Sequence, residues 1–302
     1  MTIAAGALSY VAYIAEEAWG TTPDTPELTS IPFVDFSMNT TKVFADDNST
    51  RADRIMRYAI AGNQQVAGDM TVNLSHANFD VLLASMLNNT WATNVLKAGV
   101  TRSSLTVEAG NTDINQFQQY TGVIVDKMTL AVPVTGVVTA KFSMIGKQQT
   151  NSTSTIDTTP GITAAGEYEP FVHNAGTFKE GGSTVGYLTS IDMTIDNGNT
   201  ANFSLGSNYA RDLSVSFTKI TGTVNAWFED VVMYNKFLNN TASSIDFTLT
   251  DGTNTLEIKL PAVTYTGATR TITGNGPIVL AMPFSALYDT GTSSNIVITR
   301  SA

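Results

Sequence analysis

The chain has 302 residues and a mass of 32.2 kDa, a length that fits one large domain or two tandem domains. Hydrophobic residues make up 42% of it and charged residues 14%, which supports buried cores and excludes a fully disordered chain. The net charge of −10 argues against tight nucleic-acid binding, and the lack of cysteine excludes disulfides, thiolate metal sites and a cysteine nucleophile.

The first segment, residues 1–30, is predicted to be an N-terminal arm. It carries Trp19, Gly20 and Pro23 among threonines and carboxylates, and it is too short and irregular to form a core of its own. A tryptophan buries a large area when it finds a pocket. We therefore expect these three residues to contact another subunit.

Residues 31–147 are predicted to form a first β domain. Met70, Val72 and Leu74 alternate with polar residues, which is typical of a strand with one buried face. The pattern then changes to helical spacing, with apolar residues at Phe79, Leu82, Leu83, Met86 and Leu87. One short helix is therefore expected beside the sheet.

Residues 148–187 lose this alternation and are rich in Thr, Ser, Asn and Gly, which predicts a loop or linker. Three aromatic residues in this segment are unfavourable in solvent: Tyr168, Phe171 and Phe178. We expect them to dock on a neighbouring subunit.

Residues 188–302 are predicted to form a second β domain that repeats the first. The segment from Ile220 matches the segment from Val66, with Gly222 over Gly68, and Asn239-Asn-Thr241 repeats Asn88-Asn-Thr90. Further matches keep the same order: Leu188–Ile191 with Leu28–Ile31, and 276–284 with 136–144. The predicted fold is mainly β, with two tandem β-sandwich or barrel domains, each with one short flanking α-helix.

No motif for chemistry is present in the sequence. With only two histidines, a metal triad or a histidine relay is not expected. Adjacent carboxylates such as Glu16-Glu17 are typical of solvated surface, because acid–base catalysis needs two different environments. We predict no enzymatic activity, no cofactor, no metal site and no membrane span.

Several segments resemble the major tail tube proteins of long-tailed bacteriophages. In the N-terminal half these are Tyr13 to Pro23, Arg51-Ala-Asp-Arg54, the strand at Gly68-Asp69 and the helix from Phe79 to Trp91. In the C-terminal half they are Ile220-Thr-Gly222, Asn239-Asn-Thr241 and Ile296 to Arg300. The likeness covers nearly the whole chain.

The resemblance implies a structural virion protein, made in the host cytoplasm, that polymerises into stacked rings. The duplicated core is similar to members in which three two-domain subunits form a pseudo-sixfold ring. The implied partners are copies of the chain itself and other tail proteins, such as tape measure and tail-tip proteins. The resemblance also implies a channel through the stacked rings, through which DNA is expected to pass during ejection without tight binding.

An acidic channel wall would let DNA slide, because duplex DNA carries about one negative charge per 1.7 Å of axis. Four carboxylates on predicted strands are the candidates for this lining: Asp69, Glu108, Asp126 and Asp246. An alternative function is a two-domain β-sandwich adhesin or extracellular binding module whose loops bind glycan or protein.

Overall fold

The computed structural model describes residues 3–53, 55–159, 161–272 and 274–301, with the backbone alone at 173–176. Arg54, which belongs to one of the resembling segments, lies outside these residues. The protein is mainly β with two short helices, and its sheets are not closed on themselves, which confirms the predicted β-sandwich fold class. Strict alternation produces the strands: in Val279–Ala286 every second side chain is buried.

In the N-terminal half, the described residues contain a short 3₁₀ turn at Gly6–Leu8, ten strands and one helix. They are β1 (Ser9–Ala15), β2 (Thr29–Ile31), β3 (Asp35–Phe36), β4 (Asn39–Asp46), β5 (Ala59–Asn73), α1 (Asp80–Met86), β6 (Val95–Lys97), β7 (Leu105–Asn111), β8 (Gln116–Val132), β9 (Thr139–Gly146) and β10 (Gln148–Ser152).

The described part of the C-terminal half contains eleven strands and one helix. They are β11 (Val172–Glu180), β12 (Ser183–Thr184), β13 (Leu188–Asp196), β14 (Thr200–Asn202), β15 (Asp212–Ser214), β16 (Lys219–Trp227), α2 (Val232–Leu238), β17 (Ser243–Thr250), β18 (Thr255–Tyr265), β19 (Thr269–Thr271), β20 (Val279–Ala286) and β21 (Val297–Arg300).

One antiparallel sheet, which we call the extended sheet, runs through both halves in the order β3/β4–β5–β9–β8–β13–β16–β20–β19. Two further sets of strands lie opposite it, β2–β1–β7–β8–β10 and β12–β11–β17–β18–β21–β6. Their buried side chains form one apolar cluster with those of the extended sheet. This cluster is the core of the protein.

Two segments differ from their sequence-based description. Residues 1–30 contain β1, which lies between β2 and β7 and buries Val11 and Ala12, so they are part of a sheet rather than an arm. Residues 148–187 contain β10, β11 and β12. Apolar and polar residues alternate only weakly along these strands. Pairing with neighbouring strands, rather than one buried and one exposed face, determines their extended conformation.

The two helices occupy the predicted places, each with seven residues. In α1, Leu82, Leu83 and Met86 are buried, and the Phe79 ring stacks on Phe142 with centroids 6.5 Å apart. In α2 only Met233 is buried. The two helices therefore have different surroundings within one chain.

Candidate assembly surfaces

Trp19, Gly20 and Pro23 make their described contacts within their own chain. The Trp19 indole N–H donates to the Gly122 carbonyl at 3.0 Å, and the Lys147 ammonium lies 5.1 Å from the ring centroid. Gly20 adopts a φ of 72°, which favours glycine, and Pro23 is half-buried. The turn after β1 is thus fixed against β8.

Glu16 holds this turn in place and was not singled out in the sequence. Its carboxylate accepts four hydrogen bonds at 2.7–2.8 Å, from Gly20 N, Gly122 N, Ser104 Oγ and Thr106 Oγ1. The expectation that both members of the Glu16-Glu17 pair are solvated is wrong for Glu16. Adjacent glutamates give no sequence signal of this difference, because three of the four donors lie 88, 90 and 106 residues away in the chain.

Of the three aromatic residues between the halves, two pack inside the chain. Phe171 is fully buried and Phe178 is 9% exposed, and both belong to the core cluster. Tyr168 is 40% exposed, with its ring 5.2 Å from that of His76. Only Tyr168 therefore keeps a surface that a neighbouring subunit can contact.

The four candidate carboxylates do not share one face. Asp69 lies on the solvent side of the extended sheet, where its Lys141 and Ser143 partners hold its pKa below the ordinary value. Asp246 lies on the opposite set of strands, next to Lys179 and Lys259 in the ladder.

Glu108 cannot line a channel in this structure because it is fully buried. Its carboxylate accepts hydrogen bonds from Tyr10 OH and Thr155 Oγ1 at 2.6 Å each, and from Ile156 N at 2.9 Å. Burial, and then the neighbouring Glu108 carboxylate, raise the pKa of Tyr10. The sequence placed Glu108 on a strand correctly but contained no sign of the 155–157 segment that covers it.

Asp126 lies where the two halves of the chain meet. Its Oδ1 accepts the Asn199 N–H at 2.7 Å, and burial raises its pKa above the ordinary value. Nearby, β8 residues 127–132 pair with residues 191–196 of β13, and Lys127 forms an ion pair with Asp196 at 3.5 Å. We call this pairing the internal junction.

The two halves also share their strand registers. Gly68 faces Met144 in the ladder, and Gly222 faces Phe284. Both β7–β8 and β17–β18 contain a register shift, after Leu105 and Ser243 respectively. When the neighbouring strand pairs of the two halves are compared in the same way, each strand of the first half corresponds to one or two strands of the second. The corresponding strands are β1 and β11, β3/β4 and β13, β5 and β16, β8 and β18–β19, and β9 and β20.

Two of the sequence matches between the halves differ from the correspondence given by strand pairing and backbone geometry. Ile31 pairs with Val11 of β1, whereas Ile191 pairs with Val224 of β16, so Leu28–Ile31 and Leu188–Ile191 are not structurally equivalent. At the helix ends, Asn88 and Asn240 have the same left-handed φ, 48° and 50°. The Asn-Asn-Thr segments are therefore offset by one residue in space.

Residues 6–286 match the family model described as phage tail tube protein. The chain belongs to this family. As a member, it is a structural component of the phage tail, and the family implies self-assembly into a tube with other tail proteins. A search of curated proteins gives no match to this tail tube protein.

The long β-hairpins of this tail tube protein expose apolar side chains. In the hairpin of β4 and β5, Phe44, Ile55, Met56, Tyr58 and Ile60 are each more than half exposed. In the corresponding connection between β13 and β16 the exposed residues are Leu205, Val215 and Phe217. We call these two regions the apolar hairpins; several large apolar side chains exposed in one region are a feature of interaction surfaces.

Within the residues that the structure describes, neither helix is long and apolar enough to cross a membrane. In the same residues, no group of three or more His, Cys, Asp or Glu side chains is placed to hold a metal ion.

Proposed function

We propose that this protein is the repeating subunit of a phage tail tube, in which three copies close into a pseudo-sixfold ring and the rings stack around a channel for the genome. The observation that carries the proposal is the extended sheet. It crosses the internal junction without interruption and ends in an open strand edge on each side, as a unit of a larger closed wall requires.

The shared registers support an internal duplication, with one β unit at about residues 9–152 and the other at about 172–301. These limits extend the predicted domains, 31–147 and 188–302, to include β1, β2 and β10 in the first unit and β11 and β12 in the second. Two similar units in one chain give six equivalent units in a ring of three.

The solvent face of the extended sheet is the wall that we propose for the channel. It is rich in Thr, Ser and Asn, and its charged residues are Asp35, Asp69, Asp192, Asp196, Lys127, Lys141 and Lys219. Two lysines are engaged by Asp69 and Asp196. Such a face is weakly anionic and gives DNA no cluster of free cations to bind.

The apolar hairpins supply the contact between rings in this proposal. Each β unit carries one, so each ring presents six to its neighbour. Burying side chains such as Phe44, Tyr58 and Phe217, each more than half exposed in the single chain, gives the hydrophobic term for stacking. The proposed role is structural, without catalysis, and other tail proteins meet the two ends of the tube.

Negative-stain electron microscopy of the purified protein tests the proposal. Rings or tubes with a central channel are expected, whereas persistent monomers with glycan or protein affinity would support the adhesin alternative. Phe44→Ser with Tyr58→Ser is expected to shorten tubes while leaving rings. Leu8→Ser, an exposed apolar residue outside both hairpins, is the matched control.

The channel wall has its own test. Phage carrying Asp192→Lys, which places a cation on the proposed wall, are expected to eject DNA more slowly, because the duplex then gains a phosphate contact in every subunit. Asp24→Lys, in an exposed turn outside the extended sheet, makes the same charge change and serves as the control. Equal ejection rates for the two variants would contradict the assignment of the wall.

A further inference from the structure

The internal junction shows how one β unit of this chain meets the next. Residues 127–132 of β8 form an antiparallel ladder with 191–196 of β13, in which Ala131 faces Asp192 and Thr129 faces Thr194. Beside the ladder, the Asn197 side-chain amide donates to the Met86 carbonyl near the end of α1 at 2.8 Å. The junction thus combines strand pairing with a contact to a helix end.

The registers identify the strand that corresponds to β8 in the second unit. Thr129 of β8 faces Lys141 of β9, and Thr269 of β19 faces Ala281 of β20. Lys141 occupies the same position in the β5–β9 ladder as Ala281 does in the β16–β20 ladder. β19 therefore corresponds to the part of β8 that pairs with β13 at the internal junction. In the described part of the chain, β19 pairs on one side only.

The strand that corresponds to β13 in the first unit is the segment from β3 into β4. Phe36 faces Met70 of β5, as Ile191 faces Val224 of β16. Ser37 and Asn39 therefore hold the places of Asp192 and Thr194. The described pairings of β3 and β4 are likewise restricted to one partner, β5.

We infer that β19 of one copy pairs antiparallel with the β3–β4 segment of a second copy, in the register of the internal junction. Thr271 then faces Ser37, and Thr269 faces Asn39. This inference rests on the proposed assembly and specifies which edges join and how.

The chemistry of the two edges is compatible with this pairing. Ser37, Asn39, Thr269 and Thr271 are all exposed, and their hydroxyl and amide groups can form cross-strand hydrogen bonds. Residues 36–41 and 268–272 contain no proline, the residue that would remove a ladder donor. The Arg270 guanidinium lies 5.2 Å from the Phe228 ring centroid and so has a partner within its own chain.

The two helices give a second, independent observation. The matched helix ends place Leu238 of α2 where α1 has Met86, yet Met86 is fully buried and Leu238 is 58% exposed. In α1 the carbonyl at this position is covered by Asn197 from the next unit. The same register puts Lys42 of the second copy beside the Leu238 carbonyl, where a cation is favourable at a helix C-terminus. The uncovered end of α2 is thus on the side where the inferred pairing brings a neighbour.

Disulfide mapping tests the register, and the chain contains no native cysteine to interfere. The double variant Ser37→Cys/Thr271→Cys is oxidised in air with a copper catalyst after assembly and run on non-reducing gels. Directly opposite Cβ atoms lie within reach of a disulfide, whereas diagonal neighbours are about 7–8 Å apart. We expect covalently linked chains at about ten times the yield of the register control Ser37→Cys/Thr269→Cys.

The internal junction supplies the positive control. Ala131→Cys/Asp192→Cys has the same cross-strand geometry within one chain and is expected to form an intramolecular disulfide. A second pair, Asn39→Cys/Thr269→Cys, repeats the test if the first variant does not fold. In a closed ring of three, linked products end at three chains, whereas an open helical array gives a continuing ladder.

The outcomes separate the inference from the proposed function. If the wild-type protein forms rings or tubes but neither cysteine pair links above its register control while the internal control does, the edge pairing is wrong and the tube function stands. If the wild-type protein forms no rings or tubes and the cysteine variants give no linked chains, both are wrong. Equal linking by matched and diagonal pairs would also overturn the register.

Discussion

Replacing Glu16 with glutamine is expected to destabilise the first β unit strongly, although the residue is the neighbour of an exposed glutamate. The Glu16 carboxylate accepts four hydrogen bonds at 2.7–2.8 Å, two of them from the backbone N–H groups of Gly20 and Gly122. Glutamine keeps one acceptor oxygen and turns an NH₂ group toward the remaining donors. Two of the four bonds to the carboxylate are then lost: one backbone N–H is left facing another donor, while the hydroxyl beside it can turn and accept from the NH₂ group.

The magnitude follows from the bonds that are lost. A hydrogen bond to a charged group contributes roughly 1.5–3 kcal/mol, and Glu16 is only half-buried, so water satisfies part of the exposed donors. We expect Glu16→Gln to lower the free energy of unfolding by about 2–4 kcal/mol. The matched control Glu17→Gln removes the same charge at an exposed position, and its effect should stay within about 0.5 kcal/mol.

Urea unfolding of the unassembled chain measures this difference, because assembly would add its own stabilisation. Hydrogen exchange provides the local readout: the amides of Gly20 and Gly122 should exchange faster in Glu16→Gln than in Glu17→Gln. If both variants unfold at the same urea concentration and protect these amides equally, the carboxylate does not hold the turn and the reasoning fails.

Three further predictions concern other positions. Gly222→Ala should cost about 1–3 kcal/mol, because its Cβ would clash with the Asp192 backbone oxygen and lie 2.6 Å from the Phe284 ring; Gly6→Ala, with nothing within 4 Å, should be neutral by urea unfolding. Lys236→Met should cost about 3 kcal/mol by thermal unfolding, because it leaves the Glu180 carboxylate, 6% exposed, without its cation; an unchanged Tm would refute this. Asp126→Asn should be at least as stable as wild type at pH 7. Because the pKa of Asp126 is raised, the folded state binds the proton of this carboxyl more tightly than the unfolded state does. The free energy of unfolding of the wild type therefore rises as the pH falls through that pKa, and its difference from the variant becomes smaller. A variant less stable than the wild type at pH 7 would contradict this.

Alternation and helical spacing predicted the elements that have one buried face and one exposed face. β5 around Met70 and Val72 and the helix that contains Leu82 both lie where the sequence predicted them. In each of these elements one face is buried and the other is exposed, so apolar residues recur with the period of the strand or the helix. Leu28–Ile31 and Leu188–Ile191 have the same four residues but different strand partners, so this match is a chance recurrence in a chain rich in Thr and Ser.

The candidate contact and channel residues show where this reasoning stops. Phe171 and Phe178 were expected at a subunit surface because the segment around them lacks alternation, yet they complete the core of their own chain. Glu108 stands at a position that the alternation of β7 assigns to the surface. The 155–157 segment nevertheless covers it and donates two hydrogen bonds to its carboxylate. Segments about 50 residues apart decide this burial, and local sequence does not encode their meeting.

The sequence by itself determined the β class, the acidic charge and the absence of thiol chemistry, because composition and short-range periodicity follow directly from residue types. Only the tertiary structure decided that β1 lies between β2 and β7, that β8 and β13 join the two halves in one sheet, and that β19 and β3–β4 each pair with one described strand. Paired strands are held together by backbone hydrogen bonds between segments far apart in the chain, and these bonds are nearly the same for every residue type. Side-chain patterns therefore predict that a strand forms but not which strand it pairs with.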